Sequence, residues 1–265
     1  MSKASSDSLL LRLARRMLPR QTRAAVVEAQ RKYGLQWPRT GAVRFGDLRR
    51  TAPISRIFGM DRGRAIDRYY IEKFLEANAG RIRGRALELG DATYINRYGT
   101  GVTKIDVLHV VEGNPDATII ADLTNADHIP SDAFDCIIFT QALQMIYDMK
   151  AAMATLYRIL KPGGAILMTT HGTSKIARRL GRDDWGEYWR LTAQGVNALV
   201  KDAAPGALLT IKSYGNVLSA SAFLYGLSAE DLKASELDVD DDDFEVILSA
   251  VIQKPIGDAL SPNGA

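Results

Sequence analysis

The chain has 265 residues, 46% hydrophobic and 25% charged, enough for a sizeable buried core in one domain with extensions or in two small ones. A single cysteine, Cys136, excludes a disulfide framework and a cysteine metal cluster, and no apolar run nears the roughly 18 residues of a membrane span. The net charge of +3 hides an asymmetry: residues 1–68 hold 16 Lys/Arg against 5 Asp/Glu, a local +11, and the remainder carries −8.

Leu9, Leu10, Leu13, Met17 and Leu18 recur at helical spacing among arginines and predict a basic amphipathic helix over residues 8–32. Such a helix lies on a membrane surface, packs on the following domain or pairs with a second subunit as a homodimer. Arg12, Arg15 and Arg16 interrupt the leucines and no small-residue cleavage site follows, so no secretory signal is expected and a cytoplasmic protein fits best. The basic end lacks the interleaved aromatics of a single-strand nucleic-acid surface, and nucleic acid is not the expected partner. Pro38, Gly41, Gly46 and Pro53 mark a connector. The expected organisation is an extension and connector over residues 1–60, a main domain over 61–256 and a flexible tail over 257–265.

Helical spacing returns over residues 66–79 and stops at Gly80. Apolar strands are then predicted at residues 86–90, 102–110, 117–121, 134–140, 165–170, 208–213 and 244–252, with helices over 142–160 and 192–203. Lys161-Pro162-Gly163-Gly164 reads as the turn into the fifth strand, and the acidic run at 240–243 as a solvated loop. The alternation predicts an α/β fold with a parallel sheet covered on both faces.

In open parallel sheets, ligands bind beyond the carboxyl ends of the strands. The first strand ends at Glu88-Leu89-Gly90-Asp91, the second carries Asp106 near its end with Val107 beside it, and the third runs into Asp122-Leu123. The fourth ends at Thr140-Gln141 and the fifth at Thr170-His171-Gly172. Acidic groups therefore converge where a dinucleotide site presents a glycine loop. Carboxylates repel a pyrophosphate but accept ribose hydroxyls, which favours a cationic nucleoside such as S-adenosylmethionine over NAD or ATP.

The series ELG, ADLTNADHIPSDAFDCIIFTQALQMIYD and LYRILKPGGAILMTT resembles class I S-adenosylmethionine-dependent methyltransferases of the type 11-like group, over about residues 81–255. WGEYWRLTAQGVNALV resembles a later segment of the same family. The resemblance implies a Rossmann-like, doubly wound seven-stranded sheet, mostly parallel with a reversed last strand, and S-adenosylmethionine as cofactor. It implies that Glu88 and Gly90, with Asp91, hold the methionine end, and that Asp106 and Val107 meet the ribose. Asp122 and Leu123 would meet the adenine, while Thr140 and Gln141 lie under the sulfonium. The lead-in FGMDRG followed by IDRYYIEKFL resembles bacterial methyltransferase domains of glycan or glycolipid assembly, implying a saccharide or small hydroxylated acceptor. Two departures stand out: Gly90-Asp91-Ala92 replaces the family's G-x-G, and Gln144-Met145 stands where many relatives have Glu-His.

Each candidate has a structural alternative. Asp106 is otherwise a surface strand residue, and Asp122 otherwise caps the turn at Thr124. His171 is the candidate general base or a satisfied loop histidine, while His109 and His128 are structural. Tyr69 and Tyr70 either close over the cofactor or belong to the core. Trp185, Tyr188, Trp189 and Arg190 either stack on a sugar face or pack a lid. Asp183 and Asp184 lack partners at ligand spacing, so no metal is expected. The expected activity is methyl transfer to a hydroxyl; an RNA or tRNA methyltransferase and a non-catalytic cofactor-binding scaffold are the alternatives.

Overall fold

The computed structural model describes residues 19–34, 38, 40–177 and 186–256. Leu9, Leu10, Leu13, Met17 and Leu18 of the predicted basic helix, Asp183, Asp184, Trp185 and the tail 257–265 lie outside the described residues. The chain divides into two units, Met1–Thr51 and Ala52–Ala265. The described residues of the first include helix α1 (Arg20–Tyr33), which has no acidic residue in its first turn, and a 3-10 turn at Gly46–Leu48. No helix among the described residues is long and apolar enough to cross a membrane.

The second unit is built on seven strands: β1 (Gly84–Leu89), β2 (Val102–His109), β3 (Ile119–Ile120), β4 (Phe134–Thr140), β5 (Leu160–His171), β6 (Leu208–Tyr214) and β7 (Ile247–Gln253). Their order is β3-β2-β1-β4-β5-β7-β6, with β7 antiparallel to both of its neighbours. This is the Rossmann-like, mostly parallel sheet with a reversed last strand. Side chains alternate along β1. Leu87 joins a core with Leu108, Phe139, Leu156 and Val196, while Ala86 joins the opposite core with Ile138, Tyr70 and Phe223. Burial on both faces explains why β4 reads as a continuous apolar run rather than an alternating one.

Among the described residues, six helices accompany the sheet: α2 (Ile66–Ala77), α3 (Thr93–Tyr98), α4 (Met149–Ile159), α5 (Ala193–Ala203), α6 (Val217–Tyr225) and α7 (Ala234–Leu237). Three local predictions are corrected. The helix expected over 142–160 is interrupted: a 3-10 turn occupies Leu143–Met145, and α4 starts afresh where the Asp148 side chain accepts from the Ala151 N–H. The predicted turn Lys161-Pro162-Gly163-Gly164 is absorbed into β5 as an irregularity, with Phe134 opposite Leu160 but Cys136 opposite Ala165. The third strand shortens to two residues at the sheet edge. Residues 52–60, expected in the connector, are tied to the second unit by bonds such as Ile54 N–H to the Tyr225 carbonyl at 2.8 Å.

Candidate active site

The crevice begins where β1 stops. Gly90 has φ +86°, and its N–H donates to the Leu108 carbonyl at 3.0 Å, which ties the end of β1 to β2. A side chain added at Gly90 would meet nothing within 4 Å, so the backbone here faces open space. Gly90→Ala is expected to cost about 1–2 kcal/mol from the left-handed backbone alone, read as a lowered midpoint in chemical denaturation.

Two carboxylates organise the following turn. Asp91 is exposed, and its Oδ1 accepts from the Thr93 N–H at 2.8 Å. Glu88 is buried and accepts from the first turn of α3, Tyr94 N–H at 3.1 Å and Ile95 N–H at 2.8 Å. Burial pushes the Glu88 carboxyl up to about 7, against the pull of those two N–H groups. This is the reason six residues form a helix at all: the orphan donors of its first turn have a dedicated acceptor. Arg68, from α2, donates to the Tyr94 hydroxyl and so stands beside the same turn. A guanidinium and two carboxylates thus surround the loop after β1, and the Asn114 side chain holds the Gly90 carbonyl at 2.6 Å.

Asp106 does not stand at the strand end. It is the fifth residue of β2, opposite Leu87, buried, and bonded to Arg85 Nε at 2.7 Å with Lys104 at 3.4 Å. Burial alone would raise its pKa, but the Arg85 bond and charge hold it below the ordinary carboxylate value. Val107 is likewise short of the end, buried with its N–H on the Thr118 hydroxyl. β2 ends at His109, one residue short of the predicted bound, and the first carboxylate past its end is the exposed Glu112. Asp122 is exposed and accepts from the Thr124 N–H and hydroxyl, the turn-capping alternative, while Leu123 lies in the core. Tyr70 is also a core residue: its hydroxyl donates to the Leu237 carbonyl and its ring stacks on Tyr214, away from the crevice.

At the ends of β4 and β5, Gln141 adopts φ +54° and donates from its backbone to the Thr169 carbonyl. Gln144 is fully buried and acts as a hub. Its Nε2 donates to the Gln141 carbonyl, its Oε1 accepts from the Thr170 hydroxyl, and its carbonyl accepts from Tyr188 and Trp189 N–H. The residue that replaces a familiar acid-base pair therefore braces the site. Tyr188 packs edge-on against Tyr147 at 5.3 Å, and both rings are largely exposed. Trp189 is pinned by its indole N–H to the Ile146 carbonyl, and Arg190 by Glu187 and the Lys175 carbonyl. Tyr147, Arg68 and Asp67 were not singled out from the sequence. Only the exposed aromatic character of Tyr147, two residues after Met145, offered a signal.

These features define a Rossmann-like α/β domain in which the loops after β1, β2 and β4 gather at the carboxyl ends of the strands. The chain belongs to the family described as "Methyltransferase domain", which it matches over residues 61–203. Its cofactor is S-adenosylmethionine. Over 46 residues it is 39% identical to the ubiquinone/menaquinone biosynthesis C-methyltransferase of Haemophilus ducreyi, covering 17% of this chain and 18% of that protein. The corresponding enzyme of a Marinomonas species is 46% identical over 39 residues, covering 15% of this chain and 16% of the relative. The matched segments thus span less than a fifth of the length of these two relatives. Among solved structures, an S-adenosylmethionine-dependent methyltransferase from Mesorhizobium loti aligns with a TM-score of 0.46 at 18% identity, covering 74% of this chain and all (100%) of that one.

Proposed function

We propose that the chain transfers a methyl group from S-adenosylmethionine to a ring-shaped, hydroxyl-bearing small molecule, at oxygen. The cofactor's amino-acid end carries both an ammonium and a carboxylate, and the residues around Gly90 offer both complements: Glu88 and Asp91 on one side, Arg68 on the other. Glu112, beyond the end of β2, takes the ribose hydroxyls in place of Asp106. When bound, the cofactor supplies an activated methyl group: its sulfur–carbon bond breaks with the pair going to sulfur, the acceptor–carbon bond forms, and the acceptor gives up a proton. The rate gain expected of the protein comes from holding acceptor and methyl group in line.

The acceptor reading rests on one observation, the exposed Tyr147–Tyr188 pair hung from the Gln144 hub beside the β4 and β5 ends. Such rings stack on a sugar face or a planar ring and orient it over the crevice. A saccharide hydroxyl fits that platform, as the lead-in resemblance implies. A second reading, methylation at carbon of a hydroxylated ring, is supported by the names of the two matched C-methyltransferases. Labelled methyl transfer from S-adenosylmethionine to parallel panels of glycans and phenolic rings tests the proposal, with product NMR distinguishing O–CH3 from C–CH3. Tyr147→Ala with Tyr188→Ala is expected to raise the acceptor KM at least tenfold while cofactor affinity stays unchanged in calorimetry. Unchanged acceptor KM would remove the platform from the site.

A further inference from the structure

The imidazole of His171 is 3% exposed, and neither ring nitrogen has a hydrogen-bond partner among the described residues. Leaving buried donors and acceptors unpaired is costly, and a native fold that does so calls for an explanation. The nearest charged group is Asp67, on the first turn of α2, whose Oδ2 lies 3.8 Å from His171 Nε2. That is longer than a hydrogen bond but within reach of an ion pair once the ring is protonated. Asp67 is itself buried, and the Arg68 N–H at 2.7 Å occupies only its other oxygen, Oδ1.

Two phenyl rings also pack on the imidazole. Phe58 stacks over it with centroids 6.4 Å apart, and Phe223 of α6 tilts against it at 6.1 Å. Phe58 holds a left-handed backbone, φ 63°, ahead of Gly59 at φ +79°. A side chain at Gly59 would come within 2.6 Å of the Leu227 carbonyl oxygen, so this strained pair is clamped in place. Lys175, in the segment after β5, places its ammonium 3.5 Å from the Phe58 centroid. Of the elements packed on the ring, α2 brings the carboxylate, the Phe58 segment and α6 bring no charge in contact, and the post-β5 segment brings Lys175 against the phenyl ring. His171 follows Thr170 at the end of β5, so its ring lies on the opposite face of the sheet from the Thr170–Gln144 bond, at the same strand end.

We propose that Asp67 and His171 form the proton-accepting pair of this site, an inference that rests on the methyltransferase reading above. His171 Nδ1 takes the proton that the acceptor loses as it gains the methyl group. Nε2–H turns to Asp67, a positioning residue that sets the tautomer and balances the imidazolium charge. Phe58 covers the pair from water.

The test is a nitrogen-15 NMR titration of the three histidines in the full chain, with His171 assigned through His171→Gln. Asp67→Asn is expected to change the His171 ring-nitrogen signals that report which nitrogen carries the proton, and Asp67→Glu to restore them. With catechol and methyl glucoside as probe acceptors, the inflection of methyl-transfer rate against pH should move with the imidazole. Should Asp67→Asn fail to fold, Asp67→Ser at the same helix start serves in its place. Identical His171 ring-nitrogen signals in wild type and variant overturn the proposal, as does an inflection that stays put while the imidazole moves. If neither probe is methylated, the titration alone decides. Failure of the wild type to bind S-adenosylhomocysteine in calorimetry would instead sink the methyltransferase reading and leave the titration result standing.

Discussion

Glu88→Gln is expected to destabilise the protein at pH 5 and to leave it no less stable than wild type at pH 8. The substituted amide keeps one acceptor but turns its nitrogen toward the other buried N–H of α3, a loss of about 2 kcal/mol. Against this runs the titration of the native carboxyl, raised by burial from 4.5 to about 7. A folded-state pKa above the unfolded one means that the native state holds a proton which the unfolded chain has released. Its stabilising effect is therefore full below pH 4.5 and is lost as pH rises to about 7, a decline on the order of 3 kcal/mol. Glutamine has no such slope, so the two stability curves cross. Urea denaturation at pH 5 and pH 8 reads the crossing directly, and parallel curves would refute it. Cofactor affinity should fall at least tenfold in the variant at both values, because the carboxylate shapes the loop that approaches the cofactor. A buried acid retained at the expense of stability at neutral pH is what a binding role requires.

The second prediction separates two carboxylates of the β2 region. Asp106→Asn breaks a pair in which the Asp is buried and Arg85 about one-third exposed, and should cost about 2 kcal/mol of stability. Cofactor affinity should change less than about threefold, since the side chain faces Arg85 and Thr118 rather than the strand end. The depressed pKa of Asp106 means that its contribution is present above the unfolded value of 3.8 and is lost as pH falls below it. Glu112→Gln should do the reverse, with affinity lowered at least tenfold and stability within about 0.5 kcal/mol, as befits an exposed loop position. Calorimetry and denaturation on both variants give a two-by-two outcome. Loss of affinity in Asp106→Asn without loss of stability would return the ribose role to Asp106.

Much of the sheet was readable because its strands are short apolar runs and its longer helices have a clear period. Phe134 to Thr140 announced itself by composition alone. What failed locally failed for identifiable reasons. The six residues of α3 lack a helical stripe long enough to detect, and their helix depends on an acceptor, Glu88, that precedes it on a strand. Lys161 to Gly164 carries turn chemistry, yet the flanking Leu160 and Ala165 pair with Phe134 and Cys136 of β4 and keep it within β5 as an irregularity. The end of β2 was legible to within a residue, but no local pattern reports that Arg85 on the neighbouring strand claims the Asp106 carboxylate.

The sequence by itself determined the class of the protein: the alternation of strands and helices, the short acidic loop at Glu88 to Asp91 and the absence of a glycine-rich phosphate cradle are local properties of the chain. Tertiary structure decided which polar groups are usable. Asp67 and His171 are 104 residues apart and meet only because α2 packs on β7, the neighbour of β5 in the sheet. Asp106 and Tyr70, plausible by position, are consumed by Arg85 and by the Leu237 carbonyl. The role of an ionisable side chain depends on its burial and partners, and those are properties of the folded chain, not of any stretch of it.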